Sequence, residues 1–181
     1  MTEGLPVFVL DACVLANATL CDLLLRLAEE PPLYIPKWSS EILAETTRTL
    51  EHKFGWPRSL VAYFESEVRR SFPDALAEDY QTWLPEMTNH PKDRHVVAAA
   101  IVSGASLIGT FNLRHFKPVD LAKWNVAAEH PQHLLKEMFE RRSRVVRQKM
   151  QDQADRRKIS VPRLMNALRS TVPEFVDLIQ S

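Results

Sequence analysis

The stretch "PVFVLDACVLAN", residues 6–17, governs how the rest of the sequence is interpreted. Its run from Val7 to Leu10 is continuously apolar, with β-branched and aromatic residues, which is typical of a strand buried on both faces of a parallel sheet. The run ends at Asp11. Ligands of open parallel sheets bind beyond the carboxyl ends of the strands. Asp11 therefore stands where a site is expected, unless it only caps the helix that follows.

Strand and helix patterns alternate along the following residues. Apolar runs at 33–36 and 106–110 predict two further strands, and "VAAE" at 126–129 predicts an edge strand. Helical periodicity predicts helices between them. The stretch 73–93 contains three prolines and is interpreted as loop with at most one strand. This order predicts a three-layer α/β/α sandwich with a mostly parallel central sheet.

Beyond residue 133 the pattern becomes purely helical and the charge changes sign. Residues 1–133 carry 12 Lys and Arg against 17 Asp and Glu, a net charge of −5. Residues 134–181 carry 11 against 6, a net charge of +5, so the whole chain is formally neutral. We predict a domain of residues 1–133 and a helical extension of residues 134–181. The basic extension is suited to RNA, a partner protein or a homodimer interface, or is a solvated helix surface.

Cysteine and hydropathy patterns bear on location. Cys13 and Cys21 are the only cysteines and have no metal-ligand spacing. We interpret both as small apolar residues in a reducing compartment. No apolar run approaches the length of about 18 residues expected of a membrane helix, and no signal-peptide pattern precedes the first strand. The sequence therefore predicts a cytoplasmic protein with no membrane contact.

Three further polar residues each allow two interpretations. Asp93 precedes "HVVAAAIV", a segment without a polar face, so it either caps a buried helix or holds a ligand at the positive end of that helix. Glu45 lies at the edge of the apolar stripe of a helix that begins near Ser39 or Ser40, and is either solvated or turned inward. Asn112 follows the 106–110 strand as a turn former or an oxygen ligand.

Taken together, these residues predict a metal site. Asp11, Asp93 and Asn112 fall at one edge of the predicted sheet, and Glu45 lies beside them. Carboxylate and amide oxygens suit Mg²⁺ or Mn²⁺, and a cation relieves the repulsion between neighbouring carboxylates. Such a site supports metal-assisted hydrolysis of a phosphodiester. An aspartyl-phosphate phosphatase would need a second acid at position 13, which is Cys13.

Four blocks carry a resemblance to a known family. In order, "FVLDACVL", "EILAETTRTL", "DRHVVAAAI" and "GTFNLRHF" resemble the PIN-domain nucleases, above all the virulence-associated protein C (VapC) type toxins of bacterial toxin–antitoxin pairs. The resemblance covers residues 6–133. It implies that Asp11, Glu45 and Asp93 are catalytic metal ligands and that Asn112 occupies a fourth, more variable polar position. It further implies a Mg²⁺- or Mn²⁺-dependent endoribonuclease with an RNA substrate and a cognate antitoxin.

One departure from the family pattern concerns His115. Many relatives carry an acidic residue there, three positions after Asn112, so this chain is expected either to hold a single ion tightly or to use His115 on phosphate. Thr110 and Arg94 are expected to assist substrate binding. Hydrolysis by water without a covalent intermediate predicts 5′-phosphate and 3′-hydroxyl products. A non-catalytic binding module and a DNA nuclease remain alternative hypotheses.

Overall fold

The computed structural model describes residues 4–181, and within this range a single parallel sheet forms the centre of the molecule. Its strands are β1 (Val7–Leu10), β2 (Ile35–Lys37), β3 (Leu107–Gly109) and β4 (Ala127–Glu129). Their order across the sheet is β2–β1–β3–β4, and every neighbouring pair is parallel. The predicted strands are confirmed, including the position of β4 at an edge. The central β1 aligns Val9 with Lys37 on one side and Ile108 on the other.

Helices cover the sheet and confirm the predicted α/β/α sandwich with a helical extension. They are α1 (Ala12–Leu15), α2 (Ala18–Ala28), α3 (Ser40–His52), α4 (Arg58–Ser71), α5 (Arg94–Val102), α6 (Pro118–Leu121), α7 (Pro131–Arg156), α8 (Val161–Arg169) and α9 (Pro173–Gln180). Side-chain caps explain several of these starts, because Asn17, Ser39 and Ser160 accept backbone N–H groups of α2, α3 and α8. The long α7 is kinked at Arg142, where φ is −144° and ψ is 49°.

The strand considered possible within residues 73–93 is wrong. This segment forms three 3₁₀ helices, at Pro73–Ala75, Tyr80–Glu86 and Pro91–Asp93. Its strand-like pairing in the described chain is a single bridge between Trp38 and Leu76. The prolines give the physical reason, because a residue without an N–H cannot donate to a sheet ladder but can occupy the first turn of a helix.

One continuous hydrophobic core joins the sheet to the C-terminal helices. Apolar side chains of α7, α8 and α9 belong to this core: Leu134, Leu135, Val146, Met150, Leu164, Leu168, Phe175 and Val176. Buried polar groups of α7 also bind the body, since Lys149 donates to the carbonyl of Glu30 at 2.8 Å and Gln153 donates to that of Thr19 at 2.9 Å. The division at residue 133 stays a prediction, and the two segments share one interior.

Among residues 4–181, none of the helices has both the length and the apolar character required to cross a bilayer.

Candidate active site

A cleft of about 720 Å³ lies beyond the carboxyl ends of β1 and β3. Asp11, Glu45, Asp93 and Asn112 all line it. Asp11 directly follows β1, Glu45 projects from α3, Asp93 precedes α5, and Asn112 lies three residues beyond β3. Four elements that are distant in the sequence thus bring the four predicted polar residues to one cavity.

Asp11 is held rigidly at the base of this cleft. Only 5% of the residue is exposed. Its Oδ1 accepts the N–H of Ala12 at 2.7 Å, and its Oδ2 accepts the hydroxyl of Thr110 at 2.6 Å and the thiol of Cys13 at 3.3 Å. Burial raises the pKa of Asp11; these hydrogen bonds oppose the rise, and the negative charge of Asp93 adds to it. Asp11 therefore caps α1 and lines the cleft at the same time.

Asp93 is held differently. Its side chain makes no capping bond at the start of α5, so the capping alternative is wrong for this residue. Its Oδ2 instead lies 2.7 Å from Nδ1 of His115 and 3.4 Å from Nδ1 of His90. The carboxylate is therefore oriented by His115 rather than by the helix backbone, while Nδ1 of His90 accepts the N–H of Lys92 at 3.4 Å.

Glu45 is turned inward, beside a buried histidine. A third of its side chain is exposed, and its Oε1 lies 3.5 Å from Nε2 of His95. The Oε2 of Glu41 lies 3.9 Å from the other ring nitrogen. Within the described chain, neither nitrogen of His95 forms a hydrogen bond of normal geometry. Burial acts to lower the pKa of His95, but Glu45 and Glu41 outweigh it, so the pKa lies above its usual value.

The three residues predicted to bind substrate lie near the cleft but do not line it. Thr110 is fully buried, so it orients Asp11 instead of facing solvent. Arg94 lines a neighbouring pocket that also includes Glu45, and its Nε donates to the carbonyl of Asn89 at 3.4 Å. His115 bonds to Asp93. A role of these side chains in substrate binding stays a prediction.

Several residues that line the cleft were not predicted from the sequence. Arg48, Lys53 and Phe54 add two cations and an exposed ring to the wall that carries Glu45. Arg48 follows Glu45 by three positions on α3, and that helical spacing would have placed both on one face. Ser170 and Thr171, in the turn between α8 and α9, form another part of the wall. No local pattern links that turn to β1.

The prediction that Cys13 is only a small apolar residue is wrong, because its thiol takes part in hydrogen bonds at the cleft. Its Sγ donates to Asp11 and accepts the N–H of Phe111 at 3.4 Å. Burial, followed by the negative charge of Asp11, raises the pKa of the Cys13 thiol to about 12. Cys13 is thus a neutral hydrogen-bonding neighbour of Asp11. Cys21 matches the expectation of a buried, free cysteine.

Compact groups of metal-capable side chains flank the cleft. In the described part of the chain they are His90–Asp93–His115 and Glu41–Glu45–His95, each with ligand atoms within 4.8 Å of one another. Asp11 belongs to neither group. Asp93 and Glu45 therefore each line the cleft and also contribute to a histidine-containing group beside it.

Comparison with known proteins gives one informative relative. A protein of Mycobacterium tuberculosis (strain ATCC 25618 / H37Rv), described as "Putative ribonuclease VapC50", is 35% identical over 127 residues. The aligned part covers 66% of this chain and 74% of the relative. No family model matches the chain, and no solved structure matches it. On this identity and coverage, the chain belongs to the VapC-type family of PIN-domain proteins.

Proposed function

We propose that this protein is a divalent-metal-dependent endoribonuclease and the toxin of a toxin–antitoxin pair. The observation that carries the proposal is the convergence of Asp11, Glu45, Asp93 and Asn112 on one cleft. Membership of the VapC-type family supports it, because the relative's description is that of a ribonuclease. RNA as substrate, an antitoxin as partner and a cytoplasmic location are parts of this proposal.

The residues present fit magnesium or manganese. Asp11, Glu45 and Asp93 offer hard carboxylate oxygens, and the charge of Asp93 disfavours ionisation of Asp11 unless a cation offsets it. Magnesium keeps much of its hydration shell and needs only one or two direct carboxylates. Three carboxylates around a wide cleft therefore suit a hydrated ion. We assign Asp11, Glu45 and Asp93 as the residues that would hold it.

The protein's own groups supply orientation and substrate attraction. Thr110 and the N–H of Ala12 fix both oxygens of Asp11, so this carboxylate at the cleft is held in one orientation before a ligand binds. Arg48 and Lys53 on the cleft wall provide local positive charge for the phosphodiester backbone, although residues 1–133 are negatively charged as a whole. When bound, the metal would supply activation of a water molecule and neutralisation of charge on phosphoryl oxygens.

Two aromatic rings suggest single-stranded RNA rather than a duplex. Phe54 is 53% exposed at the cleft wall, and Phe111 lines the same cavity. Unpaired bases stack on such rings, whereas the bases of a helix are already stacked on each other. The proposed substrate is therefore an unpaired RNA segment whose backbone lies along the carboxylates.

The test compares cleavage of unstructured RNA and DNA of the same sequence by purified protein. We expect cleavage of RNA with Mg²⁺ or Mn²⁺, no cleavage with EDTA, and products with 5′-phosphate and 3′-hydroxyl ends. Products with a 2′,3′-cyclic phosphate would contradict hydrolysis by water. Cleavage of DNA at the same rate would favour a general nuclease, and binding of either strand without cleavage would favour a non-catalytic module.

A further inference from the structure

His130 adds an imidazole ring to the cleft at the end of the fourth strand. It directly follows β4 and lines the same cavity as Asp11. The sheet fixes its place, because the N–H of Thr110 donates to the carbonyl of Glu129 at 3.0 Å. Thr110 in turn donates its hydroxyl hydrogen to Asp11. The ring of His130 therefore belongs to the same sheet edge as the carboxylate of Asp11.

The first turn of α7 determines which ring nitrogen of His130 carries the proton. His130 is the N-cap of α7, and its Nδ1 accepts the N–H of Gln132 at 3.2 Å. A ring nitrogen that accepts a hydrogen bond has no hydrogen of its own, so the neutral ring carries its proton on Nε2. Burial, followed by the positive charge of His133, lowers the pKa of His130. The ring is therefore neutral at physiological pH.

The Nε2–H group of His130 is a donor without a partner in the protein. Within residues 4–181 no hydrogen bond joins Nε2 to another group, and this atom is not one of the buried polar atoms that lack a partner. Nε2 is therefore accessible to a ligand, and the ring that carries it lines the cleft. Phe111 packs against the ring, with centroids 5.1 Å apart and 65° between the planes.

We propose that His130 is a substrate-binding residue of the cleft, and that its Nε2–H donates to a phosphate oxygen of the bound RNA. Phosphate oxygens carry the negative charge of RNA, and a hydrogen bond to a charged acceptor is stronger than one to a neutral acceptor. The donor stands beside Asp11, where the proposed function places the phosphodiester. RNA as the ligand rests on that proposed function, whereas the position of the proton on the ring does not.

Nitrogen-15 NMR of the full chain measures the state of the ring, and loss of the signal in His130→Asn assigns it. We expect His130 to be neutral at about pH 8, with its proton on Nε2. Addition of oligoadenosine should shift the Nε2 signal, an effect that a residue acting only as a helix cap would not show. A proton on Nδ1, a charged ring at this pH, or an Nε2 signal that RNA leaves unchanged overturns the proposal.

The binding test compares His130→Asn with the wild type on labelled oligoadenosine, by fluorescence anisotropy. Ca²⁺ replaces Mg²⁺ and binds the carboxylates through their oxygens. Asn keeps the cap of α7, because its side-chain oxygen accepts helix N–H groups, but it removes Nε2. We expect the dissociation constant to rise at least about tenfold, the loss typical of one hydrogen bond to a charged group.

His133→Asn removes an exposed histidine from the same turn of α7 and is the matched control, with wild-type affinity expected. Urea denaturation verifies that both variants fold. Equal affinity of the wild type and His130→Asn, or no binding by the wild type, overturns the proposal.

Oligodeoxyadenosine and oligouridine identify the acceptor. His130→Asn should weaken binding of both by the same factor as binding of oligoadenosine, since all of these chains share the phosphate. A loss confined to RNA would assign the donor to the 2′-hydroxyl, and a loss confined to one base would assign it to that base. Either result overturns the phosphate contact.

Cleavage separates this proposal from the proposed function. With Mg²⁺, His130→Asn should lower kcat/KM for RNA by the same factor as the affinity, and an unchanged kcat/KM would contradict the phosphate contact. Absence of cleavage by the wild type would refute the proposed function, while the binding and NMR results would still decide the role of His130.

Discussion

Asp11 and Asp93 occupy equivalent places in the chain but are held in different ways. Each aspartate immediately precedes a helix, α1 or α5, and lines the cleft. Asp11 has the extended backbone of a capping residue, with φ −70° and ψ 154°, and its Oδ1 accepts the first N–H of α1. Asp93 ends a 3₁₀ helix, with φ −113° and ψ 13°, and this conformation leaves its side chain clear of the backbone of α5.

The difference separates a fixed carboxylate from an adjustable one. Both oxygens of Asp11 are engaged by neighbours that the fold cannot easily move, whereas Asp93 contacts two histidines, one of them 40% exposed. An aspartate at the start of a helix can therefore be held in the cleft in two different ways. The backbone and a buried hydroxyl hold Asp11, whereas a partly exposed side chain holds Asp93.

The largest effect should come from removing either charge. Asp11→Asn and Asp93→Asn should each lower kcat/KM for RNA cleavage at least about a hundredfold, since loss of a metal ligand exceeds the cost of losing its supporting neighbour. Initial rates on a fluorescent RNA measure this. Asp152→Asn, on an exposed part of α7, is the matched control and should retain the wild-type rate. If only one of the two substitutions reduces the rate, the two aspartates do not share a metal.

The next effect concerns what fixes Asp11. Thr110→Val keeps the shape of a fully buried side chain but removes the hydroxyl that binds Oδ2. We expect kcat/KM to fall about tenfold, in the range typical of lost hydrogen bonds to metal ligands. Thr82→Val, at an exposed position in Tyr80–Glu86, serves as the control. A wild-type rate in Thr110→Val would show that Asp11 does not need this orientation.

The two helix starts should also differ in stability. Asp93→Ala removes no cap, and the repulsion with Asp11 that it relieves opposes the loss of the contact with His115, so it should lower the free energy of unfolding by less than about 0.5 kcal/mol. Ser39→Ala removes a real cap, because Ser39 Oγ accepts the N–H of Ile42 at 3.1 Å, and should cost about 1 kcal/mol. Urea denaturation in EDTA measures both. A larger loss in Asp93→Ala than in Ser39→Ala would contradict the description of Asp93.

The smallest effect is expected at Cys13. Its thiol is a weak donor to Asp11, so Cys13→Ala should change kcat/KM less than about threefold. With a pKa of about 12, the thiol should also react slowly with iodoacetamide at pH 8 in the native protein and quickly after denaturation. Mass spectrometry of the modified chain measures this reaction in the native and in the denatured protein. Rapid native modification with loss of activity would make Cys13 an essential part of the cleft.

The sequence predicted the strands and the four cleft residues because their signals are local. The apolar run before Asp11 and the unbroken apolar face after Asp93 are visible within a few positions. Because the alternation of strands and helices predicts a parallel sheet, the carboxyl ends of its strands are expected at one edge. Residues 73–93 were harder, because prolines exclude regular strands without specifying which turns replace them.

The remainder of the site depends on contacts between distant segments. His90 and His115 are stacked although 25 positions separate them, and no periodic pattern relates one to the other. The same holds for the absence of a capping bond at Asp93, which depends on a backbone angle set by the preceding 3₁₀ turn. Sequence patterns indicate which residue types meet at a sheet edge, but tertiary packing decides which oxygen each one presents.

The turn between α8 and α9 affects the order in which the cleft is built during translation. Synthesis proceeds from the N-terminus, so Asp11, Glu45, Asp93 and Asn112 leave the ribosome before Ser170 and Thr171. A nascent chain that already has its sheet still lacks one side of the cavity until those two residues arrive. The finished enclosure therefore forms late, after the acidic side chains are in place.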